Sequence, residues 1–142
     1  MDQLYVPDAS VIVKWALPTA EAKEQDRSLD LLQLWLEGGC QVLLPPHWLS
    51  EVGSLLLQHY PQRAADLLEL LSSFDFPEAD NSAALHCAAV QLAEQQGVSY
   101  YGALYQAVAH LHGGIQITAN SGYWRKTKAS GAVLQLKDFK PS

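Results

Sequence analysis

Val98-Ser-Tyr-Tyr-Gly-Ala-Leu-Tyr-Gln-Ala-Val-Ala-His-Leu-His-Gly-Gly-Ile-Gln-Ile-Thr-Ala-Asn-Ser-Gly-Tyr-Trp-Arg-Lys126 decides the fold class. Ser99 can accept a hydrogen bond from a first-turn amide, so it predicts a helix start. Apolar residues recur at Tyr101, Leu104, Tyr105, Val108 and Leu111, a spacing that predicts one buried helical face. Gly113-Gly114 ends the helix, because glycine enters the left-handed region without steric cost. The β-branched run Ile115 to Thr118 reads as a buried strand, Ala119 to Gly122 as a turn, and Tyr123 to Lys128 as a new helix. Helix, strand, turn and helix in this order make the repeating piece of an α/β fold. Its turn lies at the carboxyl end of a strand, where such folds place ligands.

The start of the chain repeats this pattern. Leu4-Tyr5-Val6, closed by Pro7, reads as a strand, and Val11 to Leu17 as a short helix stopped before Pro18. Asp8 therefore sits past a strand and at a helix mouth, where the helix N-terminus favours a carboxylate. On the local sequence alone, an ordinary helix cap is the favoured reading. Val6-Pro7-Asp8-Ala9-Ser10 and Ile117-Thr118-Ala119-Asn120-Ser121 share one layout, strand then acid or amide then serine. If the two strands are parallel neighbours, Asp8 and Asn120 meet at one sheet edge.

Between these ends the sequence predicts four helices. The first is amphipathic, from Ala20 to Leu36, with Leu29, Leu31, Leu32, Leu34, Trp35 and Leu36 inside and Gly38-Gly39 as its stop. A strand follows at Gln41 to Leu44. A second helix begins near His47 and carries Trp48, Leu49, Val52, Leu55 and Leu56. The third runs from Pro61 to Ser73, with Leu67, Leu68, Leu70 and Leu71 inside. Phe74 to Pro77 reads as a short edge strand. The fourth helix, Ser82 to Gln96, would be capped by Asp80-Asn81 and packed through Ala83, Ala84, Cys87 and Ala88. Val133 to Leu136 reads as a last strand.

Glu51 shares its helix face with Trp48 and Leu55. A buried carboxylate demands a metal, a cation or a shifted pKa. Placement at the rim of the stripe, reaching solvent, is the equal alternative. His47, four residues earlier, reads as a capping or solvated residue.

The chain has 142 residues, 49% of them hydrophobic, and a formal charge of −6. That length suits one domain, residues 1–142, and that composition excludes a disordered chain. The negative charge excludes a general electrostatic coat for nucleic acid and leaves room for a local basic rim. Cys40 and Cys87 lack metal-ligand spacing and read as reduced core thiols. No leader-like segment and no apolar run of membrane-spanning length is read, so the expected compartment is the cytoplasm.

These residues together resemble the PIN domain family, and within it the VapC-like toxins of bacterial toxin–antitoxin pairs. The resemblance rests on Val6 to Val11 with Lys14-Trp15, on Leu44-Pro45-Pro46 leading to Glu51-Val52, and on Val98 to Tyr105 with Ile117 to Asn120. It implies a three-layer α/β/α sandwich with a central, mostly parallel sheet, and a homodimer. It also implies metal-dependent cleavage of RNA, with three or four carboxylates holding Mg²⁺ or Mn²⁺, oxygen-seeking cations that activate a bound water. Residue by residue, Asp8 takes the place of the first acid and Glu51 of the second, the expected metal ligands. Gly102 stands where the family reads an aspartate in Tyr-Asp-Ala-Leu-Tyr, and Asn120 where it reads Thr-Ala-Asp. Asp8 and Glu51, supported by Asn120, are thus the catalytic candidates, with impaired or absent cleavage expected. A non-catalytic PIN-fold module that binds RNA or protein is the alternative, and an ordinary α/β protein with scattered structural acids is a third. Lys14, Arg125 and Lys126 are the candidate contacts for single-stranded or structured RNA, with Trp15, Tyr123 and Trp124 available to stack a base. The implied protein partner is a small antitoxin.

Overall fold

The computed structural model describes residues 2–17 and 22–141. Four strands, β1 (Leu4–Pro7), β2 (Gln41–Val42), β3 (Ile115–Thr118) and β4 (Val133–Gln135), form one sheet in the order β2-β1-β3-β4. All neighbouring pairs are parallel, with Tyr5 opposite Ile115 and Pro7 opposite Ile117. The helices are α1 (Ala9–Ala16), α2 (Ala22–Leu36), α3 (Trp48–His59), α4 (Ala64–Ser72), α5 (Ala83–Gln96), α6 (Tyr100–His112) and α7 (Ser121–Thr127). This is the expected α/β architecture. The beginning of the expected Ala20–Leu36 helix, at residues 20 and 21, lies outside the described residues.

The chain leaves β1 for β2 on one side and later returns to β3 on the other. The order of strands reverses between β1 and β3, so a crevice opens at their carboxyl ends. The Asp8 amide donates to the Ile117 carbonyl at 3.0 Å, which ties the exit of β1 to the end of β3. Asp8 and Asn120 stand at that shared edge, as the repeated layout anticipates.

Helix α6 departs from the single buried face that its spacing suggests. Seven consecutive residues, Ala103 to Ala109, are buried, while Tyr101 and Leu111 are exposed. The reason is placement: the middle of α6 lies on β1 and β3 and carries α5 on its back, so only its ends reach water. In α5 the interior residues are Leu85 and Ala89, and Ala83, Ala84 and Cys87 are exposed. Of the expected small-residue contact only Ala88 packs against the core, and Cys87 is a surface thiol while Cys40 is buried. The α5 cap is Ser82, whose hydroxyl accepts from the Leu85 amide at 3.2 Å. Asn81 bonds His86 instead. Leu29 and Leu36 of α2 and Leu70 of α4 are likewise exposed, because Leu31, Leu32, Leu67 and Leu71 already fill the interior on those faces.

Phe74 to Pro77 does not extend as an edge strand. It forms a bend that sends Phe76 inward, and one parallel bridge follows it, between Leu44 and Glu78. Phe76 meets Trp35 at 4.8 Å, Trp15 at 5.2 Å, Phe74 at 5.5 Å and Trp48 at 5.7 Å between ring centroids. One side chain thus joins α1, α2 and α3.

Candidate active site

Each site residue is held by its local sequence. Asp8 caps α1, accepting at Oδ1 from the Ser10 amide at 3.0 Å and from the Ser10 hydroxyl. Its Oδ2 accepts from Gln116 Nε2 of β3 at 3.3 Å. The Ser10 hydroxyl in turn accepts from the Ala119 amide at 2.9 Å, so the two parallel strand exits are stitched through Ser10. Asn120 caps α7, its Oδ1 accepting from the Tyr123 amide at 3.0 Å. Glu51 lies in the first turn of α3, half-buried.

A cleft of about 240 Å³ gathers Asp8, Glu51, Gly102, Asn120, Tyr105 and Tyr123. The four positions that carry the resemblance therefore share one space, and the reading of the acids as scattered structural residues is set aside. Both readings of Glu51 turn out partly apt: it stands at the rim of its stripe, and the rim is the cleft wall.

Two phenols complete the wall. The buried Tyr123 hydroxyl is shared among Gln106 Oε1 at 2.8 Å, Gln116 Oε1 at 3.0 Å and the Gly102 carbonyl at 3.1 Å. One O–H faces three acceptors, so this proton is held from three sides. Tyr105 is also buried, faces Glu51, and its hydroxyl has no hydrogen-bond partner of ordinary geometry. Burial holds both phenols above their usual pKa, so both stay neutral.

Burial also raises both carboxyls. For Asp8 it outweighs the bonds from Ser10 and Gln116; for Glu51 it outweighs the opposing pull of Tyr105, and the Asp8 charge adds to it. An acid whose pKa is raised by folding binds its proton more tightly in the folded chain, so its contribution to stability grows as pH falls. The urea midpoint of the wild type should accordingly rise, relative to that of Asp8→Asn/Glu51→Gln, as the pH is lowered from neutral toward the ordinary carboxylate range of about 4. Parallel pH dependence of the two proteins would refute the assigned burial.

The basic rim is sparse. Lys14 stands in an adjoining hollow with Ser10, Leu55 and Asn120, and pairs with Glu24 at 3.6 Å. Arg125 and Lys126 are exposed on α7, and Lys126 donates to the Gly97 carbonyl at 3.1 Å at the end of α5. Trp15 and Tyr123 cannot stack a base, because both are buried, Trp15 donating to the Ser28 carbonyl at 2.7 Å. Trp124 is half-buried under Lys128.

No group of three or more His, Cys, Asp or Glu side chains converges among the described residues. The cleft offers two carboxylates, and Asp8 is already met by protein donors on both oxygens. This donor set does not fit a preformed centre for Mg²⁺ or Mn²⁺ built on three or four acids. Gln106, Gln116 and the Tyr105 hydroxyl were not singled out by the sequence reading. The one available signal was Gln116, a polar residue between Ile115 and Ile117 in a strand read as buried.

A comparison with curated proteins gave no match. Among solved structures, PAE2754 from Pyrobaculum aerophilum is 19% identical with a TM-score of 0.66, covering 96% of this chain and 92% of that one. The toxin VapC20 of Mycobacterium tuberculosis, described as cleaving the sarcin-ricin loop, is 21% identical with a TM-score of 0.63, over 92% and 97% of the two chains. VapBC2 from Rickettsia felis, bound to a DNA fragment from its promoter, gives 17% identity and a TM-score of 0.65, over 94% and 97%. At these identities the likeness is one of fold. The sequence itself matches the PIN domain over residues 5–129, the span that holds β1, the cleft and α7, and the chain therefore belongs to the PIN domain family.

Proposed function

We propose that this protein is a toxin–antitoxin-type PIN protein whose cleft has kept its place and lost most of its cleavage chemistry, so that it acts by binding. The observation that carries the reading is the content of the cleft: Asp8 and Glu51 remain, with Gly102 and Asn120 where two further acids are expected. A glycine supplies no oxygen ligand from its side chain. An asparagine keeps a carbonyl oxygen without charge, and here that oxygen caps α7. Two carboxylates can still hold Mg²⁺ when substrate phosphates complete its shell, so residual cleavage would depend on substrate-assisted metal binding.

The fold neighbours point to the partner classes. VapC20 is described as a toxin cleaving the sarcin-ricin loop, and VapBC2 as bound to a DNA fragment from its promoter. A small antitoxin is the partner this likeness supports, a toxin–antitoxin complex from Klebsiella pneumoniae being among the fold neighbours, and RNA and a second copy of the chain are proposed from the family resemblance. With a formal charge of −6, RNA binding would rest on a few local contacts such as Lys14, Arg125 and Lys126, and its salt dependence would be shallow because few phosphates are neutralised.

RNA incubated with Mn²⁺ or Mg²⁺ provides the test, with Asp8→Ala as the control. Equal, background-level cleavage by the two proteins is expected. Cleavage by the wild type that disappears in Asp8→Ala would overturn the proposal and show that two carboxylates suffice.

A further inference from the structure

Gly102 is a cleft position where a side chain has no room. A Cβ placed there would lie 2.7 Å from Cε2 of Tyr123, and 3.2 Å from both Tyr123 Cδ2 and Ser99 Oγ. Protein side chains do not pack at 2.7 Å, so the ring or the helix would have to move. The ring is not free to do so. Tyr123 is buried, its hydroxyl is held by Gln106 of α6 and Gln116 of β3, and its amide is bound to Asn120.

The glycine is otherwise hard to account for. Its amide donates to Ser99 Oγ at 3.1 Å in the first turn of α6, a position open to any residue but proline. In a helix, glycine is less stable than alanine by up to about 1 kcal/mol. The space claimed by the Tyr123 ring gives that cost a reason.

We infer that Tyr123, Gln106 and Gln116 form a neutral plug seated where a third acid would stand, so that restoring carboxylates at positions 102 and 120 alone does not return a cation site. The same plug serves the acid that remains. Gln116 reaches Tyr123 with its Oε1 and donates to Asp8 from its Nε2, and so supplies a protein donor to a buried carboxylate. A neutral donor for Asp8 is thereby built into the chain. The inference rests on the reading of the cleft given above, and concerns what fills it rather than what it lacks.

The test is the Mn²⁺-dependent shift in melting temperature of three proteins: wild type, Gly102→Asp/Asn120→Asp, and Gly102→Asp/Asn120→Asp/Tyr123→Leu. Leucine removes the ring edge nearest Gly102 and keeps most of the apolar bulk. The triple variant alone should gain, by about 5 °C or more at saturating Mn²⁺. A comparable gain in the double variant, or no gain in the triple, overturns the plug. A gain already in the wild type overturns instead the proposed loss of the cation site, so the two failures are told apart.

Gly102→Ala asks the same question should an aspartate prevent folding. The plug predicts a lower melting temperature than wild type, and a smaller loss when the change is made in Tyr123→Leu. Helix propensity alone predicts a higher one. A rise on Gly102→Ala in the wild-type background would overturn the inference.

Discussion

Phe76→Ala should destabilise the protein by about 3–5 kcal/mol, the range for truncating a buried aromatic residue. For a chain of this length that corresponds to a fall in melting temperature of roughly 10–15 °C. The ring is 5% exposed and is contacted by Trp15, Trp35, Trp48 and Phe74, which come from three helices and the bend itself. Those neighbours are large and mutually fixed, so they close only partly on the vacated space, and the cavity term adds to the lost transfer energy. Leu36→Ala on the outer face of α2 is the control, since that side chain is 59% exposed and its removal should change little. Thermal melts followed by circular dichroism compare the two. Equal effects would mean that Phe76 does not join the helices.

Gln116→Leu should cost about 2–3 kcal/mol near neutral pH, although it replaces a buried amide with an apolar residue of similar size. The loss comes from what remains behind. Asp8 Oδ2 loses its donor in the interior, while the Tyr123 hydroxyl keeps Gln106 Oε1 and the Gly102 carbonyl as acceptors. Leaving a buried polar group unmatched costs more than the net worth of the bond it made. The penalty should be larger where Asp8 is ionised than where it is protonated, because a buried carboxylate costs more to leave without a donor than a neutral carboxyl does. Urea titrations of wild type and variant at two pH values measure both the size and the trend. A neutral or stabilising effect of the leucine would show that Gln116 does not serve Asp8.

Much of the fold was legible because local signals and global layers agree. Ser99 and Gly113 bound α6 as expected, and the condition attached to the paired layouts at Val6–Ser10 and Ile117–Ser121, that β1 and β3 be parallel neighbours, is met. Periodicity failed where a helix is enclosed on more than one side. In α6 the run Ala103–Ala109 is buried whole, and no spacing rule could show that α5 covers its back. In α5 the choice between faces one residue apart is made by Leu85 and Ala89 against α6, which small residues spread around the helix do not reveal. At the site, Asp8 and Asn120 could be read from the strand ends and Glu51 from its place on a helix face, while Gly102 was marked only by the family resemblance. The filling of the cleft could not. That Tyr123 turns inward, and that two glutamines from different elements meet its hydroxyl, follows from three-dimensional closure and leaves no mark on neighbouring residues.

The pairing of β1 with β3 has a consequence in time. Asp8 and its partner Gln116 stand 108 residues apart in the chain. During synthesis at about 5–20 residues per second, the first strand would wait roughly 5–20 s before its central neighbour is made. Until then β1 has only the two-residue β2 to pair with, and the pocket that holds Asp8 does not yet exist. Closing so large a loop is entropically late, and contacts this remote in sequence slow folding. A nascent or truncated chain ending before Ile115 would expose β1 and a carboxylate meant for the interior, and should be the form most readily seized by proteases.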